Sequence, residues 1–151
     1  MFFLGACAGN NSNTNRPSGS PSGNSNSDKG AATKTNVEEL GMLVNIPYEA
    51  IDTVWRDDAP NKKLIAVLRF STADCEKIVA DATRIKPAAP AVIQSESWFP
   101  DELIAQGELS GDDTLKGMAY AANNFFQDSF NDGRLVRIDG TDYFVLEANA
   151  K

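Results

Sequence analysis

The chain has 151 residues, 42% of them hydrophobic and 23% charged, a size that fits about one domain. Its 14 basic and 21 acidic residues give a net charge of −7. Arg16, Lys29, Lys34 and Asp28 precede Val37, so the rest carries 11 bases and 20 acids, or −9. A field of that sign repels a phosphate backbone and argues against nucleic acid as a partner. The sequence contains no histidine. Imidazole-based catalysis and histidine-bearing zinc sites are therefore excluded. The two cysteines, Cys7 and Cys75, imply no disulfide framework. No run of 18 apolar residues is present to form a transmembrane helix.

The N-terminus begins with apolar Met1-Phe2-Phe3-Leu4. Leu4-Gly5-Ala6-Cys7 resembles the bacterial lipobox, in which a leucine stands three positions before the cysteine and small residues fill the gap. The resemblance covers four residues. It implies processing by a signal peptidase, a lipid on the Cys7 thiol, and a protein anchored in the bacterial cell envelope, facing the periplasm or the exterior. Ala8 to Gly30 follows, and 18 of its 23 residues are Asn, Ser, Gly or Pro. Almost nothing there offsets the entropy of ordering, so a disordered tether is expected. A coil of that length reaches on the order of 25–30 Å. The organisation read from sequence is a residual signal peptide over 1–7, a tether over 8–36 and one globular domain over 37–151.

Within the domain, Val37 to Val44 leads into a strand or a short helix. Ile51 to Arg56 alternates with a period of two, Ile51, Thr53 and Trp55 on one side and Asp52, Val54 and Arg56 on the other, which predicts a strand. Asp57 to Asn61 is turn chemistry. Lys62 to Phe70 is apolar on both faces, which predicts a strand in the middle of the sheet. A helix should follow, capped by Ser71, presenting Cys75, Ile78, Val79 and Ala82 on one face and stopped by Pro87. Ala91 to Ser95 predicts a short strand. Pro100 to Gly107 predicts a brief helix, with proline at its start and glycine at its end. Thr114 to Ala121 is read as a strand. Gly133 to Glu147 predicts a hairpin about a two-residue turn at Asp139-Gly140. That turn sets Arg137 opposite Asp142, Val136 opposite Tyr143 and Leu135 opposite Phe144. The fold class is α+β: a mostly antiparallel sheet, two helices packed on one face, and a C-terminal β-hairpin.

Chemistry is sparse. Cys75 lies on the apolar stripe of its helix and reads as a core residue. The acidic pairs Asp57-Asp58, Asp101-Glu102 and Asp112-Asp113 show no sign of the burial that a catalytic carboxylate needs. Asp128 to Asp139 imitates a calcium loop but places Phe130 at the third position and Asp139 at the twelfth, where an oxygen ligand and a bidentate glutamate are required. No cofactor and no metal is expected. Trp98 and Phe99, ahead of Pro100, can either plug the helix onto the sheet or form a binding lip, because large aromatics give much contact area. Trp98 is expected to be the buried member and Phe99 the exposed one. The reading is a non-enzymatic envelope lipoprotein, held to the membrane by its lipid, whose domain binds a partner protein or an envelope component. The alternative is a small-molecule sensor or carrier with a pocket between helices and sheet.

Overall fold

The computed structural model describes residues 32–151. Cys7 and the 8–30 segment lie outside them. The folded body starts earlier than Val37. The N–H and C=O of Lys34 both bond to Trp55 at 2.8 Å, and the Asn36 side chain caps the short helix α1, Val37–Leu40, by accepting from Glu38 and Glu39.

Six strands form one antiparallel sheet: β1 (Asp52–Asp58), β2 (Lys63–Arg69), β3 (Ala89–Gln94), β4 (Thr114–Tyr120), β5 (Phe130–Ile138) and β6 (Tyr143–Ala150). Their order across the sheet is β1-β2-β6-β5-β4-β3. The α+β class, the antiparallel sheet and the C-terminal hairpin of β5 and β6 are all present. β2 is interior, paired on both sides, yet it stands second from one edge rather than in the middle.

Helix α2, Thr72–Ile85, starts at Ser71, whose hydroxyl accepts from the Asp74 N–H at 3.1 Å. Helix α3, Asp101–Ser110, starts at Pro100 but runs past Gly107 to a left-handed Gly111 at φ +88°. Gly107 is instead buried inside it, where a Cβ would stand 2.9 Å from that of Ser95.

The two helices expected on one face lie on opposite faces. Cys75 and Ile78 of α2 pack on Leu64, Ala66, Leu68, Leu135, Phe144 and Leu146. Leu103 of α3 packs with Phe99 on Val67, Leu115, Val136, Ile138 and Val145. The cause is the strand composition. β2, β5 and β6 put large apolar side chains on both faces, and each face needs a cover.

The hairpin register also differs. Leu135 faces Leu146, Val136 faces Val145 and Arg137 faces Phe144, so the loop is the four residues Asp139 to Asp142. A slip of two residues returns every side chain to its own face, so hydrophobic alternation cannot distinguish the registers. Bonds outside the ladder decide. The Asp142 carbonyl accepts from Phe70 N–H at 3.2 Å, and its carboxylate accepts from Thr72 Oγ1 at 2.9 Å. The Thr141 hydroxyl donates to the Ile138 carbonyl at 2.9 Å and accepts from Tyr143 N–H at 3.1 Å. Gly140 takes φ +75° while Asp139 stays out of the left-handed region, so a type I′ turn is not formed. Arg137 still reaches Asp142 through its side chain, at 3.2 Å.

β4 is drawn tightly onto β5 at Gly117. A Cβ there would lie 2.0 Å from the Arg137 carbonyl oxygen, so any side chain must part the strands. Gly117→Ala is expected to cost about 1–3 kcal/mol in chemical denaturation, the range for overpacking a tight site. Unchanged stability would show that the two strands are not held this close.

Candidate functional site

The Trp98 and Phe99 pair sits on the α3 face, in the connection from β3 to α3. Its burial is the reverse of the sequence expectation. Phe99 is 5% exposed and belongs to the core with Leu103, Val67 and Val145. Trp98 is half-buried at the margin of that core. The chain does present the two rings differently, as an extended corner should, but the second one faces the sheet. The reason lies in α3: Phe99 directly precedes Pro100, and the helix is docked by Leu103. The ring nearer the helix start is the one drawn under it.

Three contacts orient Trp98. Its ring meets that of Phe99 edge to face, with centroids 4.8 Å apart. Its indole N–H donates to Glu96 Oε2 at 2.7 Å. The Arg56 guanidinium lies 5.1 Å from its ring centroid. Arg56 is itself directed by a bond from Nε to Thr33 Oγ1 at 2.9 Å. An aromatic side chain held from three sides loses little rotamer freedom on binding, which favours a contact surface.

Arg56 begins a row of neighbours across four strands. Register places it opposite Ile65, Ile65 opposite Glu147, and Glu147 opposite Arg134. All four are half-buried. Arg134 and Glu147 form an ion pair through Nε and Oε2. A surface cleft of about 350 Å³ opens along the inner part of this row, lined by Lys63, Ile65, Asp132, Arg134 and Glu147 among others. Trp98 stands at one end and the cleft at the other. Sequence reading found Trp98 and the parity of Arg56, but not the row. Which strands become neighbours is a matter of topology, and alternation within one strand cannot show it.

The row offers contact area, two guanidinium groups and one carboxylate, the last ion-paired with Arg134. The thiol of Cys75 is fully buried under the other face, 3.8 Å from the Phe70 carbonyl and 3.6 Å from that of Asp142. Burial, with the Asp142 charge nearby, pushes its pKa up to about 11. The thiol is therefore protonated at neutral pH and is a core group, not a nucleophile. Among the described residues, no group of three or more acidic or cysteine side chains could hold a metal ion. In the segment that imitates a calcium loop, Phe130 opens β5 and is buried.

Truncation separates the two rings. Phe99→Ala is expected to lose about 3–5 kcal/mol, the cost of emptying a buried aromatic site. Trp98→Ala is expected to lose only about 1 kcal/mol, since much of its surface is already in water. Thermal unfolding of both variants measures this, and a larger loss for Trp98→Ala would contradict the assignment. No family model matches the chain, and neither a curated protein nor a solved structure does.

Proposed function

We propose that the chain is a bacterial envelope lipoprotein, anchored through Cys7, whose domain is a binding module rather than an enzyme. Its partner is a protein or an envelope component that docks on Trp98 and the adjoining row of Arg56, Ile65, Glu147 and Arg134. The observation that carries this reading is Trp98 itself. A half-exposed tryptophan fixed by Glu96, Arg56 and Phe99 has the make-up of an interaction hot spot. The lipobox-like Leu4-Gly5-Ala6-Cys7 and the polar segment after it support the anchor. The protonated, buried Cys75 and a sequence without histidine support the non-enzymatic reading. Among the described residues no helix is long and apolar enough to cross a membrane.

The small-molecule alternative draws less support. The enclosed space between the middle of α2 and the sheet, beside Tyr48, Ile78, Ala82, Phe125 and Leu135, amounts to only about 10 Å³. That is room for about one water. Tyr48, which lines it, donates to Asp81 at 3.2 Å. The larger spaces, about 610 Å³ beside Glu102, Tyr120 and Tyr143 and about 540 Å³ beside Ile85, Tyr120 and Arg134, are open surface clefts.

One preparation tests both halves of the proposal. The protein is produced in a bacterium with a photo-crosslinking amino acid in place of the exposed Ser97, next to an intact Trp98, irradiated in intact envelopes and fractionated. An acylated Cys7 as the mature N-terminus and a discrete crosslinked adduct are expected in the membrane fraction. A soluble chain with an unmodified Cys7 would refute the anchor, and an absence of adducts would refute the Trp98 surface.

A further inference from the structure

The two outer strands are finished differently, and the hydrogen-bond parity of the sheet shows how. On β1, the Trp55 N–H and C=O point outward, because both bond to Lys34. Thr53 and Asp57, two residues to either side, present their backbone groups on the same edge. This edge is closed at its centre. Lys34 satisfies Trp55, and the Thr53 N–H donates to the carboxylate of its neighbour Asp52 at 3.0 Å. The Lys34 ammonium also lies over the Trp55 ring, 4.6 Å from its centroid.

On β3 the parity is read from its end. Ser95 N–H donates inward to the Asp113 carbonyl at 2.8 Å, in line with the β3–β4 register. The odd-numbered residues of β3 therefore bond to β4, and Pro90, Val92 and Gln94 face outward. Lys116 agrees from the other side, since its carbonyl accepts from Asp139 and so turns away from β3. Pro90 occupies an outward position, where its missing N–H costs no bond within the sheet. Val92 and Gln94 keep a donor and an acceptor each on the open edge. The Val92 side chain at the centre is 55% exposed, and Ile85, in the last turn of α2, is 49% exposed.

We propose that this edge is the site at which a second copy of the chain docks, β3 against β3 in antiparallel register about a two-fold axis at Val92. Val92 then pairs with Val92 of the other copy through two hydrogen bonds, and each Gln94 N–H meets the opposite Pro90 carbonyl. The two Val92 side chains bury each other on one face. Charge fits the same axis. The entrance to β3 carries the exposed Lys86, and its exit carries Glu96 with Asp112 and Asp113 of the adjoining turn. An antiparallel two-fold brings the basic end of each copy against the acidic end of the other. The interface is self-complementary and therefore closes. Since β1 is strapped by Lys34, the far edges do not propagate the sheet, and the assembly ends at two copies.

Sedimentation equilibrium of the full chain under reducing conditions tests this, with two substitutions of opposite sign. The wild-type chain is expected to show a reversible monomer–dimer equilibrium. Val92→Lys sets like charges directly opposite and is expected to raise the dimer Kd by about tenfold or more. Pro90→Val restores an outward N–H for the opposite Gln94 carbonyl and is expected to lower Kd. Circular dichroism of both variants is expected to match wild type, as both positions are exposed. A wild-type chain that stays monomeric up to about 1 mM, a dimer unaffected by Val92→Lys, or no tightening with Pro90→Val would each overturn the pairing.

Discussion

The burial of β2, β5 and β6 on both faces is the constraint from which the rest of this structure follows. Leu64, Ala66 and Leu68 of β2 lie on one side and Val67 on the other, and Phe144, Leu146 and Val145 repeat the pattern on β6. A sheet with one wet face needs a single cover, whereas this one needs two. Helix α2 supplies the first with Cys75 and Ile78, joined by Leu40 of α1 and by Val44 and Phe125. Helix α3 supplies the second with Leu103, and being only Asp101–Ser110 it covers less. Phe99 extends that cover by one ring, and Trp98 stands where it gives out. The half-exposure of Trp98 is thus a consequence of a short helix over a wide apolar face.

Local features were legible in the sequence where local chemistry decides them. The Ser71 cap and Pro87 bound α2 closely, because a hydroxyl at the N-cap and a proline after the last turn act through neighbouring residues. The alternation of Ile51 to Arg56 and the length of Lys62 to Phe70 identify β1 and β2 for the same reason. What was not legible depends on distant partners. Gly107 has the look of a helix stop, yet Ser95 demands a small residue there and Gly111 takes the left-handed turn. The hairpin register is invisible to alternation, and is set by Phe70 and Thr72 pulling on Asp142. At the site, the aromatic pair was visible but its orientation was not. The docking of Phe99 under α3 is a tertiary event.

The same two-sided construction frames the functional proposal. A strand such as β6 is covered on both faces and paired at both edges, and the proposed recognition surfaces lie at the margins of the sheet. One margin is the Trp98 row, where cover runs out over Arg56, Ile65, Glu147 and Arg134. The other is the free edge of β3. In the proposed binding role, both would serve proteins or large envelope components. The strap from Thr33 to Asn36 ties the end of the polar N-terminal segment to β1, through Lys34 on Trp55, Thr33 on Arg56, and the Trp55 indole N–H on the Asn36 carbonyl. It joins that segment to the edge of the sheet farthest from β3.

Native-state hydrogen exchange of the central amides tests the two-cover account most directly. If both covers are needed to hold one sheet, the amides of Ala66 and Val67 in β2, and of Val145 and Leu146 in β6, exchange only through global unfolding. Weakening either cover, by Ile78→Ala under α2 or Leu103→Ala under α3, then lowers their protection together and by the same amount as it lowers global stability. Contradiction would come if the Leu103→Ala chain lost the loop and α3 by local opening while the protection of β2 and β6 stayed at its wild-type value.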